Sequence, residues 1–401
     1  MKNETIALGR PSLLRHTNAL TILALLRKAG SCSKADLVRA SGLSAPTVTN
    51  VVGDLLAANL IKPLGEGESS GGRPPDMISF KAGRGCILSV QISTDHLSYL
   101  LTDLSGTELE MVQIPLDRKM TTPEAICDAI GQEIRRLLKK HRKSREQLLA
   151  LVVGVPAITN VEEGIVLSIS TFRDWRSVPL RALLSKVVEC EVLLENDTNL
   201  SALGEYFCGA ARNSDTFVCV NIGDNVSAGI VLNGKIHHGS QWAAGEIAYM
   251  QLPNIARRHP ALYEFGELET VLAKSGILKH WMQLSGKSGR NAKRRADLTT
   301  LFDLARTGDA LARKILQRRA VIVADIIVNL SLILNPGLIL LGGEVGSHSV
   351  LLDHVQRQLK KCEFAIPKVT AASLGDAAVL WGGIALAVDR IPAILLPPPV
   401  G

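Results

Sequence analysis

Ser33-Lys-Ala-Asp-Leu-Val-Arg-Ala-Ser-Gly-Leu-Ser-Ala-Pro-Thr-Val-Thr-Asn-Val-Val-Gly-Asp-Leu-Leu56 reads as two short amphipathic helices joined by Ser41-Gly42-Leu43. Ala35, Leu37, Val38 and Ala40 form an inner face for the first helix. Gly42 can take the positive φ that a sharp interhelical turn needs. Ser44 is placed to cap the second helix, with Pro46 in its first turn, where a missing N–H costs nothing. Val48, Val51, Leu55 and Leu56 recur at i, i+3, i+7 and i+8 and point inward. Ser44, Ala45, Thr47, Thr49 and Asn50 are left on the outside near the helix start, where small polar side chains can enter a major groove and touch base edges. A plain helical hairpin with solvated residues would show the same pattern, so the flanks matter.

Before this stretch, Leu14 to Arg27 carries Leu14, Ala19, Ile22, Leu23, Leu25 and Leu26, a third helix able to pack on the other two. After it, Asn59-Leu-Ile-Lys-Pro63 begins a strand, Gly65 to Gly72 is a polar turn, and Met77-Ile-Ser-Phe80 returns as a strand. Three helices and a hairpin make a winged helix. Arg73, between Gly72 and Pro74, is presented by the hairpin either to a narrow minor groove or simply to solvent. Residues 1–85 hold eleven Lys/Arg against six Asp/Glu, most of the chain's net charge of +7. That excess favours a polyanionic partner without arguing sequence specificity. The seven cysteines are scattered with no Cys-x-x-Cys spacing, as expected of reduced thiols rather than a disulfide framework or zinc cluster. Asp325, Asn329, Asn335 and Pro336 interrupt the apolar run from Val321 to Leu341, so it does not read as a membrane span, and a cytoplasmic location is expected.

From about residue 84 strands and helices alternate. Strands are expected at Cys86–Ile92, Leu97–Leu104, Glu108–Pro115 and from Leu149, with helices at Pro123–Lys140 and Pro179–Val188 and a strand at Glu191–Leu194. A similar order recurs from Thr216, with the Asn233-Gly234 hairpin and a late strand at Leu338. Two consecutive halves of this kind predict an α/β chain with two lobes around a cleft, ligands binding at the strand ends.

Short motifs run through nearly the whole chain: Gly71-Gly-Arg-Pro-Pro75, Gly154-Val-Pro156, Leu194-Glu-Asn-Asp-Thr-Asn199, Asn221-Ile-Gly223, Asn233-Gly-Lys235, Ala243-Ala-Gly-Glu-Ile247, Leu268-Glu269, Asn335-Pro336 and Leu341-Gly-Gly343. With the head, this set resembles the winged-helix repressors of the ROK family (repressors, open reading frames and sugar kinases). The resemblance implies an actin-like two-lobed ATPase fold, a sugar in the cleft, and a homodimer or homotetramer. It divides the chain into a winged helix-turn-helix at 1–82 and a sugar-binding and oligomerisation region at 83–401, with lobes of about 83–197 and 198–401.

The chain departs from the family's kinases at the phosphate loops. Where they carry Asp-x-Gly-Gly-Thr, this sequence has Gln91-Ile-Ser-Thr-Asp95; where they carry Gly-Thr-Gly-Ile-Gly-Ala-Gly, it has Gly223-Asp-Asn-Val-Ser-Ala-Gly229. Lost glycines remove flexible N–H donors, and Asp224 brings a carboxylate to the place of a triphosphate, so ATP use and catalysis are not expected. The zinc motif is also missing: Tyr249 stands in the His position, no Cys lies between it and Glu269, and a lone His259 is no ligand set. Neither metal nor cofactor is expected. By the resemblance, Asn196, Asp197, Glu246, Tyr249 and Glu269 face the sugar, carboxylates being suited to grip vicinal hydroxyls; Asn196 and Asp197 are equally placed to cap a helix. Tyr249 in place of His points to a different epimer, a substituted sugar or a sugar phosphate. The function expected is a transcriptional repressor of carbohydrate genes that binds a double-stranded operator under control of a sugar effector; the alternative is a sugar kinase acting on a hexose with ATP.

Overall fold

The computed structural model describes residues 11–67, 74–117, 121–169, 172, 175–253, 255, 264–285, 297–363 and 366–398. Its head comprises α1 (Pro11–Ala29), β1 (Ser31–Ser33), α2 (Lys34–Ser41), α3 (Ala45–Ala57), β2 (Ile61–Glu66) and β3 (Asp76–Phe80). Ser33 opens α2 with a reciprocal cap: its hydroxyl accepts the Asp36 N–H at 3.2 Å, and Asp36 Oδ2 accepts the Ser33 N–H at 2.9 Å. Gly42 closes that helix at φ 69°, and Ser44 caps α3 by accepting the Thr47 N–H at 3.3 Å. The inner faces are narrower than the sequence reading made them. Leu37 is buried and Val38 half-buried, while Ala35 and Ala40 are exposed. In α3, Val52 rather than Leu56 joins Val48, Val51 and Leu55, because i, i+3, i+4 and i+7 span a tighter arc than i+8 allows. Leu14, at the outer end of α1, is also exposed. β1 makes the wing sheet three-stranded, in the order β1-β3-β2.

Two five-stranded sheets follow. The first runs β11-β7-β4-β5-β6, built from β4 (Cys86–Ile92), β5 (His96–Asp103), β6 (Glu108–Pro115), β7 (Leu148–Val155) and β11 (Glu191–Asn196). The second runs β14-β13-β12-β15-β16, from β12 (Phe217–Ile222), β13 (Val226–Leu232), β14 (Lys235–Ile236), β15 (Leu338–Gly342) and β16 (Lys368–Ala371). In each, three consecutive antiparallel strands are extended by two parallel strands beside the first of them, so the lobes repeat one topology. α4 (Pro123–Lys140) covers the first sheet through Ile126, Ile130, Ile134, Leu137 and Leu138. On the first lobe, three short strands, β8 (Ile158–Asn160), β9 (Ile165–Ser168) and β10 (Arg176–Val178), form a small sheet that the sequence pattern did not announce. The helix expected over Pro179–Val188 is only one turn, α5 (Leu180–Leu184), after which β-branched Val187 and Val188 leave helical geometry.

The remaining helices are α6 (Asp197–Phe207), α7 (Glu267–Leu272), α8 (Lys274–Leu284), α9 (Leu298–Thr307), α10 (Ala310–Leu334), α11 (Gly343–Gly346), α12 (Ser349–Leu359) and α13 (Ala378–Leu395). Helix α10 supplies the core of the second lobe through Ile315, Leu316, Val323, Ile326 and Ile327. The sequence reading assigned everything after residue 197 to this lobe; α13 instead crosses back and packs against α6, β4 and β7. The apolar segment Gly375–Leu395 is long enough to span a bilayer, but its contacts with those elements make it a core helix. All seven cysteines are free thiols.

Candidate functional site

A cavity of about 460 Å³ lies between the lobes, and Asn196, Asp197, Glu246, Tyr249 and Glu269 all line it. Different elements bring them there. β11 ends at Asn196 and α6 begins at Asp197; Glu246 and Tyr249 flank a single helical turn after Gly245; Glu269 lies in the first turn of α7.

Their hydrogen bonds divide these five residues into two classes. Asn196 is committed to structure: Oδ1 accepts the Thr198 and Asn199 N–H groups at 2.9 and 3.1 Å, and Nδ2 donates to the Ala157 carbonyl at 3.1 Å. Glu269 accepts N–H groups from Gly266 at 2.9 Å and Val226 at 3.4 Å, while the Tyr249 hydroxyl donates to the Glu264 carbonyl at 2.8 Å. Asp197 accepts from its neighbour Thr198, whose hydroxyl lies at 3.3 Å, and no donor among the described residues reaches Glu246. Burial pushes the Asp197 carboxyl up to about 6. Glu246 rises to about 7, through burial first and then through Glu269 and Asp197. Two half-buried carboxylates with few donors line one cavity, an arrangement that a donor-rich ligand would satisfy.

A further pair was missed by the sequence reading. Glu195 Oε2 accepts from His238 Nε2 at 2.7 Å, joining the end of β11 to the loop after β14, and Oε1 accepts the Asn196 N–H at 2.9 Å and Asn199 Nδ2 at 3.0 Å. The Glu195 bond raises the His238 pKa. Little in the sequence signalled it, the nearest motif, Ala243-Ala-Gly-Glu-Ile247, beginning five residues after His238.

Gly223, Asp224, Asn225, Gly343, Glu344 and Asp376 also line the cavity. Glu344 takes an ion pair from Lys274 at 2.7 Å. In the head, Ser44, Ala45, Thr49 and Asn50 are exposed at the start of α3; Thr47 is half-buried, its hydroxyl 2.8 Å from that of Ser44. Arg73 and His259 lie outside the described residues. Among the described residues no three His, Cys, Asp or Glu side chains are placed to hold a metal ion.

The ROK family model matches residues 87–390, and a winged helix-turn-helix DNA-binding model matches residues 15–62. The chain belongs to the ROK family. This ROK chain is 25% identical over 357 residues to a xylose repressor of Bacillus spizizenii, an alignment covering 87% of this chain and 88% of the relative. It is 27% identical over 312 residues to a glucokinase of Halalkalibacterium halodurans, covering 71% of this chain and 93% of that enzyme. The crystal structure of a ROK family transcriptional regulator, described as a homologue of the E. coli Mlc protein, superposes with a TM-score of 0.79 at 23% identity, covering 96% of this chain and 98% of that one.

Proposed function

We propose that this ROK protein is a sequence-specific transcriptional repressor of carbohydrate-metabolism genes, whose hold on a double-stranded operator is governed by a sugar or sugar derivative in the interlobe cleft. The observation that carries the reading is the pairing of a winged helix with a cavity lined by Asp197, bonded by its neighbour Thr198, and by Glu246, which no donor among the described residues reaches. Hydroxyl groups of a sugar supply such donors. The repressor relatives span the head as well as the cleft, whereas the glucokinase covers 71% of the chain.

A route from cleft to head supports the same reading. Asp197 begins α6, α6 packs on α13, and α13 reaches α1 of the head. Ile22, Leu23 and Leu26 of α1 share one apolar cluster with Ile384, Val388 and Ile391 of α13, and Arg27 pairs with Asp389 at 3.5 Å. Displacement of α6 by ligand therefore has a packed path to the DNA-reading unit.

In this proposal Asn196, Asp197, Glu246, Tyr249 and Glu269 form the sugar end of the cleft; Ser44, Ala45, Thr47, Thr49 and Asn50 of α3 and Arg73 of the wing face the operator. The protein acts in the cytoplasm without catalysis, as a homo-oligomer whose paired heads match a near-palindromic site. Asp224 and Glu344 line the same cavity and disfavour ATP there, which argues against the kinase alternative.

The test is binding of the purified protein to DNA from upstream of its own and neighbouring genes at fixed moderate salt, followed by addition of sugars. Tight binding to one fragment, released by one sugar, is expected. Weak, salt-sensitive binding to every fragment, with sugar-dependent ADP release that Asp197→Ala removes, would replace the repressor with a kinase.

A further inference from the structure

We propose that the cleft is built to reject phosphate, so that its effector is an unphosphorylated sugar, uncharged or bearing an amine, and not a sugar phosphate or a nucleotide. This inference rests on the sugar reading and narrows it to a ligand class.

The first observation is the sign of the charge around the cavity. Asp197, Glu246, Glu269, Asp224, Glu344 and Asp376 all line it, and among the described residues no Lys or Arg does. The basic group that does line it, His96, is held by Asp95 at 2.7 Å. Lys274 is outside the lining, and its ammonium is spent on Glu344. Phosphate sites are made by Arg or Lys, or by free backbone N–H groups at helix starts and glycine-rich nests.

The second observation is that the helix starts facing the cavity carry an acid in their first turn, and the longest of them is already capped. α6 begins with Asp197, and its first free N–H groups are taken by Asn196 Oδ1. α11 carries Glu344 in its first turn, and the single turn leading into α13 carries Asp376. At the turn between β12 and β13 the Gly223 N–H donates to the Asn225 carbonyl at 3.0 Å, and the Gly223 carbonyl accepts the Lys274 N–H at 2.8 Å. These bonds engage the N–H and the carbonyl of Gly223, and the loop brings the Asp224 carboxylate to the cavity.

The third observation concerns the sugar end. Glu246 already responds to two neighbouring carboxylates, so a dianion nearby would be opposed from the same direction, whereas hydroxyl or ammonium donors relieve the repulsion. Tyr249, whose place in the sequence admitted a sugar phosphate, has its hydroxyl turned to the Glu264 carbonyl.

The experiment is calorimetric titration of the full chain with matched pairs: glucose and glucose 6-phosphate, N-acetylglucosamine and its 6-phosphate, with glucosamine and with ATP in the presence and absence of Mg²⁺. A free sugar binding at least a hundredfold more tightly than its phosphate, with no ATP binding at millimolar concentration, is the expected result. Added salt should narrow that gap by screening the repulsion while leaving the free sugar's affinity unchanged. Asp224→Asn with Glu344→Gln should narrow it at least tenfold; Asp376→Asn alone, should the pair not fold, should narrow it in the same direction. A phosphate that binds as tightly as its parent sugar, or a gap indifferent to both salt and these substitutions, overturns the inference while the sugar reading stands. Silence from every sugar, free or phosphorylated, overturns the sugar reading and this inference with it.

Discussion

Glu246 is a half-buried acid kept at a cost, and the cost has a sign that can be measured. Its folded-state pKa lies above the ordinary value of a free glutamate, so between about pH 4.5 and 7 the folded chain binds more protons than the unfolded one. Stability of the sugar-free protein therefore falls as pH rises through that window, and Asp197 adds to the trend up to about pH 6. Glu246→Gln removes the burden: the sugar-free protein should gain on the order of 1–3 kcal/mol in denaturant unfolding at pH 8 and much less at pH 4. Asp197→Ala should abolish the sugar response and sugar binding while operator affinity stays within about twofold, read by fluorescence anisotropy with and without sugar. Survival of the response would place the ligand elsewhere. All five residues taken from the family motifs reach the cavity, but the motifs do not say which of them have hydrogen-bonding capacity to spare. That depends on partners such as Val226 for Glu269 and Ala157 for Asn196, which lie far away in the chain and meet only in the fold.

Two helices convert that site into a lever. α6 and α13 approach closely enough for their backbones to touch: a Cβ at Gly382 would overlap the Leu200 carbonyl oxygen, and one at Gly204 would overlap the Ala378 carbonyl oxygen. Glu205, fully buried in α6, accepts the Ser373 and Leu374 N–H groups at 2.7 Å each and so holds the segment leading into α13. The pair has no free play, which a mechanical link needs. Gly382→Ala should force the helices apart and lower the unfolding free energy by about 1–3 kcal/mol. It should also change the sugar concentration needed to release operator DNA, the readout that separates a link from mere packing. The periodicity of α4 and its turn residues was legible, since a long amphipathic helix carries its own signal. The destination of α13 was not: it is apolar on nearly every side, so its composition says buried without saying against which lobe.

At the scale of the whole molecule, the two lobes share one strand order, and the head is fastened to the first of them by α13. That helix of 18 residues is about 27 Å long; the segment just before it and its first residues line the cavity, and its later turns meet α1. The lobe duplication could be read from the order of strands and helices, because hairpins and crossovers leave separate signatures. Head docking could not be read, since Leu26 or Ile391 looks the same in a private core and in a shared one. The shared seam carries the consequence. Arg27 and Asp389 form a pair with the aspartate largely exposed, worth about 0–1 kcal/mol, so the apolar contacts do most of the fastening. Val388→Ala with Ile391→Ala should loosen the head on α13 without touching either the cavity or the outer face of α3. Sugar affinity and sugar-free operator affinity should each stay within about threefold. The ratio of operator affinities without and with sugar, for which about 1–3 kcal/mol of coupling is typical, should fall toward one. If that ratio is unchanged in anisotropy titrations of the folded variant, the signal does not travel through α13, and the linker between β3 and β4 becomes the route to test.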